Sequence, residues 1–283
     1  MTEEFYATLL SNSSMEYFPS NTTSNFVTQL PKRIRLNGRW CVGVSEIQYP
    51  CSFASISEID NLIYYRVTPP EDLSAKRVLK NAADFFRDDS EQITYHANGW
   101  HVIRFASGNY DTVEDVVREM NKHEIIGRLV TLEYYTLTKR VSVQIKTETL
   151  SILGFSERLA LQLGFRPEQN IVQDPVPPHP ASIWIGLPSQ MFIYCDIVEP
   201  QIVGNVVSPL MRIVNITAEN YNYGCHKDVV FSPTHYIPVM IKEFENIEIN
   251  IRTDTGQSMP FEFGTLSLKL HFKKWGVHTN STT

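Results

Sequence analysis

The final strand of this chain carries the pattern that most restricts how the chain can fold. Apolar and polar residues alternate without interruption, in the order Leu266, Ser267, Leu268, Lys269, Leu270, His271, Phe272, Lys273. Successive side chains of a β-strand point to opposite faces, so this pattern predicts an antiparallel strand with one face in a core and the other in solvent. Such a strand needs a second layer of structure over its apolar face.

The run 40–50 shows a change of parity. Its large apolar residues first fall on even positions and then, from Ile47 onward, on odd positions. Because one extra residue in a strand reverses the direction of every later side chain, this change predicts a β-bulge near Ser45 and Glu46. Pro50 is expected to end the strand.

Further strands are predicted between turn residues. The run 25–30 is expected to end at Pro31. The remaining predicted strands are 63–67, 190–197, 210–216, 235–241 and 247–252.

Residues 71–176 contain helical signals that the rest of the chain lacks. The predicted elements are a hairpin over 92–105 with Asn98-Gly99 at its turn, a helix with the apolar residues Val113, Val116, Val117 and Met120, a hairpin over 129–145, and a short helix over 156–164. Asp111 and Glu114 are expected to cap the first helix. These signals predict an α+β subdomain inserted between strands.

Many short strands, with few helices outside that block, predict a mainly β protein: a single jelly-roll β-sandwich with an inserted α+β subdomain. The length of 283 residues is compatible with one large domain or two smaller ones. The predicted division is an N-terminal arm (1–20), the first part of the jelly roll (21–70), the inserted subdomain (71–176), the second part of the jelly roll (177–277) and a C-terminal tail (278–283).

The predicted N-terminal arm mixes aromatic and apolar residues with Thr, Ser and Asn, without a helical or a sustained alternating period. Its candidate subunit-interface residues are Phe5, Tyr6, Leu9, Leu10, Tyr17 and Phe18. Exposed aromatic side chains are unfavourable in water, so the arm is expected either to fold back on its own domain or to dock on a neighbouring subunit. Residues 1–25 contain no Lys or Arg, so we expect this segment to contact protein rather than nucleic acid.

Motifs that would indicate an enzyme are missing from the sequence. The eight histidines show no HxH or HExxH spacing, and there is no CxxC pair, no Gly-x-Ser-x-Gly and no glycine-rich phosphate loop. Glu262 lies between two Phe residues and could serve as an acid if buried, but no base is near it, so a structural hydrogen bond to loop backbone is the better interpretation. We predict that the protein is not an enzyme, with no catalytic, cofactor-binding or metal-binding residue and no cofactor.

The cysteines and the N-terminus bear on the cellular compartment of the protein. Cys41, Cys51, Cys195 and Cys225 are far apart in sequence and are predicted to be free, buried thiols. The first residues are acidic, and no apolar run approaches the length of about 18 residues that a membrane-spanning helix needs. We therefore expect synthesis in the cytoplasm or nucleus and no association with membranes.

The charge balance disfavours nucleic acid as a partner. The chain has 25 Lys and Arg against 31 Asp and Glu, a formal net charge of −6. Basic residues cluster locally at Lys32, Arg33, Arg35 and Arg39 and again at Lys269, Lys273 and Lys274. These clusters are interpreted as solvated strand faces, with a surface for an acidic partner as the alternative.

Two stretches of the sequence resemble a known family. The first contains Ser20-Asn21-Thr22, Leu36-Asn37-Gly38-Arg39-Trp40 and Glu46-Ile47-Gln48-Tyr49-Pro50; the second contains Tyr236-Ile237-Pro238-Val239, Asp254-Thr255-Gly256 and Pro260-Phe261-Glu262-Phe263-Gly264. Together they resemble the minor capsid, or penton, protein of Polinton (Maverick) elements, adintoviruses and virophages, a single jelly-roll family. The resemblance implies a homopentamer at the vertices of an icosahedral virion, beside double jelly-roll major capsid proteins. A host receptor that contacts the inserted subdomain would be compatible with that position.

The same predicted sandwich leaves a second class of function open. A jelly roll can also be a ligand binder, such as a carbohydrate-binding module, or a cupin-like enzyme. Aromatic residues such as Trp100, Trp184 and Trp275 would suit a carbohydrate site.

Overall fold

The computed structural model describes residues 3–67, 100–147, 150–167, 169–172 and 175–275. The chain forms two compact units, of which one contains the residues up to Phe53 and from Pro188 onward, and the other is Ala54–Leu187. This second unit is wider than the subdomain proposed from the sequence, 71–176. The strand Leu62–Val67 explains the difference at the first boundary, because it pairs with Trp100–Arg104 and Leu150–Phe155.

The strands are short and numerous. In chain order they are β1 (Glu4–Leu10), β2 (Asn25–Arg35), β3 (Trp40–Pro50), β4 (Leu62–Val67), β5 (Trp100–Arg104), β6 (Val130–Tyr135), β7 (Arg140–Ile145), β8 (Leu150–Phe155), β9 (Gln190–Cys195), β10 (Gln201–Val203), β11 (Val206–Ser208), β12 (Leu210–Asn215), β13 (His226–Val230), β14 (Ile237–Pro238), β15 (Glu243–Arg252) and β16 (Ser267–Lys274). The helices are α1 (Val113–Lys122), α2 (Glu124–Leu129) and α3 (Glu157–Gln162), with a short 3-10 turn at Ala218–Asn220.

The first unit is a sandwich of two antiparallel sheets. One sheet has the order β1-β16-β3-β13, with β14 also pairing with β3, and the other has the order β12-β9-β15-β2. Successive strands of these eight lie in opposite sheets, except for the paired neighbours β9 and β12. This is the connectivity of an eight-stranded jelly roll, so the predicted fold class is confirmed.

The alternating pattern of the last strand forms the centre of the sandwich. Leu268, Leu270 and Phe272 are fully buried, and the Phe272 ring stacks on Phe244 of the opposite sheet, 6.1 Å away. The predicted β-bulge is confirmed, because Leu270 pairs with Val44 whereas the preceding residue of β16 pairs two positions further along β3. The extra residue lets both halves of β3 direct their apolar side chains into one core.

Strand β2 does not end at Pro31, as the sequence had suggested, but continues to Arg35. β2 is an edge strand, and its register with β15 shifts between Phe244 and Asn246, so the ladder is irregular where Pro31 lies. Because proline lacks an N–H group, an edge or an irregular ladder is where a strand tolerates it.

The N-terminal segment differs most from its prediction. Residues 4–10 were expected to lack a regular period, but they form β1, which pairs with β16 from Glu4 opposite Lys273 to Leu10 opposite Ser267. Side chains along β1 alternate between more and less exposed positions. Of the two outcomes expected for this segment, residues 4–10 show the first, because they fold back on their own domain as the first strand of the jelly roll.

The second unit has a core of its own. Strand β4 pairs with β5 and β8, strands β6 and β7 form the predicted second hairpin, and α1 and α3 supply Met120 and Leu159 to the core. The cap of α1 is Thr112, whose hydroxyl accepts a hydrogen bond from the Asp115 N–H at 3.1 Å, so the predicted capping pair was one residue too early. The predicted turn at Asn98-Gly99 lies outside the described residues.

Candidate interaction surfaces

The candidate interface residues of the N-terminus divide between core and surface. Phe5 stacks on Phe272 with ring centroids 4.6 Å apart, and Leu9 is fully buried. Tyr6 and Leu10 point to the other face of β1 and are exposed. Beyond β1, Tyr17 is exposed and Phe18 is half-buried, with its N–H donating to Ser14. Phe5 and Leu9 thus stabilise their own domain, and Tyr6, Leu10 and Tyr17 remain available for contacts.

The outer face of β1 and β16 holds a cluster of aromatic and ionisable side chains around His271. The His271 ring stacks on Tyr6 at 4.2 Å, and its Nδ1 lies 2.8 Å from the hydroxyl of Tyr236. Its Nε2 lies 3.4 Å from a carboxylate oxygen of Glu4, within ion-pair distance but without hydrogen-bond geometry. The alternation of β16 had placed His271 in solvent, but Tyr6 covers it and it is buried.

Charges surround this cluster. The Lys269 ammonium group lies 5.5 Å from the centre of the Tyr6 ring and 3.5 Å from the carboxylate of Glu46. A cation over an aromatic ring and beside a carboxylate is held in place by both. The outer face of this sheet therefore presents an exposed tyrosine with charges of both signs next to it.

The hairpin of β10 and β11 exposes aliphatic side chains. Ile202 and Val207 lie opposite each other in its register, and their exposed fractions are 84% and 70%. Val206 at the turn is also exposed. A two-stranded hairpin with its aliphatic side chains in water does not contribute to a core, so this hairpin is a candidate contact element. Its short strands gave no alternation in sequence long enough to predict it.

The second unit contains a groove of about 580 Å³ between α1 and β6. It is lined by Glu114, Val117, Arg118, Asn121, Lys122, Leu132, Glu133, Tyr134 and Tyr135. The Asn121 side chain bonds both backbone groups of Leu132, at 2.8 and 3.0 Å, which fixes the helix against the edge of the strand. The Tyr135 hydroxyl donates to Glu133 at 2.9 Å. The groove combines a tyrosine face with charged groups, an arrangement that suits a polar ligand.

In the described part of the chain, no three His, Cys, Asp or Glu side chains come together as a possible metal site. Glu262 is exposed and accepts a hydrogen bond from the Tyr223 hydroxyl at 3.1 Å. The condition for an acid role, burial of Glu262 between the two Phe residues, is therefore not met.

The cysteines are free thiols, as predicted, but they are not all buried. Cys41, Cys51 and Cys195 are buried, whereas Cys225 is exposed, so the prediction was wrong for that residue. Burial raises the pKa of the Cys195 thiol far above its usual range. Among the described helices, none is long and apolar enough to cross a membrane.

The fold and these surfaces define the class of protein: a single jelly roll with a large insertion between its third and fourth strands, β3 and β9. No protein-family model matches the sequence, and neither does any curated protein. Among solved structures, the chain is similar to the mavirus penton protein, with 11% identity, a TM-score of 0.45 and coverage of 97% of this chain and 100% of that chain. It is also similar to a chain in the cryo-EM structure of the Sputnik virophage, with 12% identity, a TM-score of 0.42 and coverage of 97% and 98%.

Proposed function

We propose that this protein is a structural capsid subunit, the penton protein of an icosahedral particle. In this proposal five copies form a ring at each vertex, next to double jelly-roll major capsid proteins, and the protein resides in the virion after synthesis in the host cytoplasm or nucleus. The observation that carries the proposal is a complete jelly roll whose aliphatic hairpin, β10–β11, points into solvent instead of into its own core.

A ring of identical subunits needs two different surfaces that fit each other. Each subunit in a cyclic pentamer offers one surface to the neighbour on its left and another to the neighbour on its right. The exposed Ile202 and Val207 supply an apolar element of the kind that fills the centre of an interface, and Tyr6 with Leu10 supplies a separate one.

The proposal is tested by the mass and shape of the purified full-length protein. Light scattering at increasing protein concentration is expected to approach five times the chain mass of 32.5 kDa, and negative-stain electron microscopy is expected to show fivefold rings. Mixing with a double jelly-roll major capsid protein is expected to place the rings at particle vertices. A monomeric mass at the highest concentration, together with no incorporation into particles, would contradict the proposal.

The groove between α1 and β6 of the second unit favours a second candidate function, the binding of a carbohydrate or host receptor. The exposed aromatic ring of Tyr135 lies beside the carboxylate of Glu133. Sugar-binding sites commonly combine an aromatic ring, on which the sugar packs, with a carboxylate that accepts hydrogen bonds from the sugar hydroxyls. A glycan array probed with the full-length protein tests this function. Loss of a positive signal in a Tyr135→Ala variant with unchanged melting temperature is the expected result, and an array without signal argues against it.

A further inference from the structure

Cations from two basic clusters that are far apart in sequence lie at one end of the jelly roll. Lys273 and Lys274 at the end of β16 lie opposite Cys41 and Trp40 of β3. The next residue, Trp275, donates its N–H to the backbone carbonyl of Arg39 at 2.9 Å. The loop before β3 therefore lies directly beside the end of β16.

A fourth cation joins them from the segment before β15. The N–H of Leu36, in the same loop as Arg39, donates to the backbone carbonyl of Lys242 at 2.8 Å. We call Arg39, Lys242, Lys273 and Lys274 the basic corner. All four side chains are exposed, and the backbone contacts bring the three chain segments that carry them to the same end of the sandwich.

The basic corner differs from three other cations of the two sequence clusters, Arg33, Arg35 and Lys269. Arg33 and Arg35 both pair with Glu243, at 3.1 and 3.2 Å, and Lys269 pairs with Glu46. Those residues are solvated ion pairs, as the sequence interpretation expected. In the described part of the chain, by contrast, no residue of the basic corner forms an ion pair.

Nearby carboxylates do not neutralise the basic corner. Glu4 lies opposite Lys273 in the sheet, but its carboxylate is directed to His271 at 3.4 Å. Glu3 is fixed beside Lys274, whose N–H donates to the Glu3 carbonyl at 2.8 Å. Even with the Glu3 carboxylate counted against them, the four cations leave an excess of positive charge at this end of the sandwich.

Two tryptophans give the basic corner an apolar component. The Trp275 side chain is more than half exposed, and Trp40 is half-buried with its indole N–H donating to the Asn37 carbonyl at 3.1 Å. Tryptophan and arginine are enriched in protein interfaces, where an aromatic side chain supplies contact area, and surrounding charges help to select the partner.

We propose that the basic corner binds an acidic polypeptide segment of a partner protein. The formal net charge of the chain, −6, repels nucleic acid at long range, and four cations contact too few phosphates for strong binding at physiological salt. A short carboxylate-rich segment needs only a local positive surface, which is what the basic corner offers. This interaction does not depend on the formation of pentamers.

The test measures binding of a fluorescein-labelled oligoglutamate peptide to the full-length protein by fluorescence anisotropy at about 50 and about 300 mM NaCl, where screening differs strongly. An oligothymidylate of equal formal charge serves as the second probe. The variant Lys273→Glu/Lys274→Glu changes the basic corner. The control variant Lys146→Glu/Arg166→Glu makes the same change in net charge at exposed residues of the second unit.

The wild-type protein is expected to bind oligoglutamate with an affinity that falls as salt rises. The basic-corner variant is expected to lose about tenfold in affinity, and the control variant less than about twofold. Melting temperatures of both variants check that the fold is intact. No binding by the wild-type protein, equal losses in the two variants, or tighter binding of oligothymidylate than of oligoglutamate would each overturn the proposal.

Discussion

At the scale of single residues, the half-buried Tyr221 and the fully buried Tyr49 have opposite hydrogen-bond environments. The Tyr221 hydroxyl donates to the carbonyl of Phe53 at 2.7 Å and accepts from its N–H at 2.9 Å. The Tyr49 hydroxyl is fully buried and has no hydrogen-bond partner among the described residues. Because an unpaired buried polar group costs free energy whereas a paired one does not, the same substitution is expected to have opposite effects at the two positions.

We expect Tyr221→Phe to lower the free energy of unfolding by about 2 kcal/mol, since it leaves both backbone groups of Phe53 without a partner. Tyr49→Phe removes only an unpaired hydroxyl and is expected to be neutral or to stabilise by about 1 kcal/mol. Chemical denaturation at neutral pH measures both, with each variant as the control for the other. Equal destabilisation by both substitutions would contradict this interpretation.

The pH dependence of the free energy of unfolding gives a second test of the buried Tyr49 hydroxyl. Burial raises its pKa to about 12, whereas a tyrosine in the unfolded chain ionises near pH 10. The native state therefore keeps a proton that the unfolded state releases, and the stability present below pH 10 is lost as the pH rises toward 12. Tyr49→Phe is expected to make this alkaline loss smaller, as measured by denaturation between pH 9 and 12.

Gly43 in β3 has no room for a side chain. A Cβ atom there would come within 2.6 Å of the Thr234 Cγ2 atom and would also overlap the carbonyl oxygen of His235. Because backbone must move to relieve the overlap, Gly43→Ala is expected to destabilise the protein by about 3 kcal/mol. The control is Gly154→Ala, where the nearest atom lies 3.9 Å from the new methyl group and little change is expected. Thermal unfolding of both variants checks the prediction, and similar melting temperatures would refute it.

At the scale of secondary-structure elements, the two faces of β1 are expected to contribute differently to the stability of the domain. Leu9 is 0% exposed and Leu10 is 41% exposed, although they are neighbours of the same type. Leu9→Ala is expected to lower the free energy of unfolding by about 3 kcal/mol, because it leaves a cavity in the sandwich. Leu10→Ala is expected to cost less than about 1 kcal/mol. If β1 were a detachable arm, neither substitution would change the stability of the domain.

The sequence predicted elements well where their pattern was long and local. The unbroken alternation of β16, the parity change in β3 and the apolar face of α1 each contain enough residues to reveal their period. β1 was missed because the small residue Ala7 occupies one of its inward positions, and the aromatic Tyr6 points outward. β13 was missed because it is short, polar and half-exposed.

The candidate surfaces were harder to predict, since they depend on contacts between distant residues. His271 is buried by Tyr6, which lies at the other end of the chain. The basic corner likewise needs the pairing of β3 with β16 before its cations come together. A single sequence does not show that β16 pairs with β1 and β3. The alternation of β16 alone therefore predicted the same solvated environment for His271 and Lys273.

At the scale of the whole molecule, each of the two units buries its apolar residues in its own hydrophobic core. The second unit has a separate hydrophobic core around Met120, Leu159 and Phe165. The insertion therefore does not need the jelly roll to bury its apolar residues, and the jelly roll closes both of its sheets without the insertion. A surface loop can accept a domain of this kind because neither core is interrupted.

The hairpin β10–β11 tests the proposed assembly without disturbing either core. Ile202→Ser/Val207→Ser replaces side chains that are 84% and 70% exposed, so the melting temperature of dilute protein is expected to stay unchanged. If the hairpin lies in the interface between subunits, the substitution removes two aliphatic contacts, and sedimentation velocity is expected to show self-association at least about tenfold weaker.

The control for this experiment uses the same residue types at similar exposure in the second unit. Ile59 and Val176 are 77% and 78% exposed, and Ile59→Ser/Val176→Ser makes the same loss of apolar surface. Because general surface hydrophobicity would affect both variants alike, only a specific interface predicts weaker association for the hairpin variant alone. Equal weakening of association in the two variants, or none in either, would mean that the hairpin does not hold the ring together.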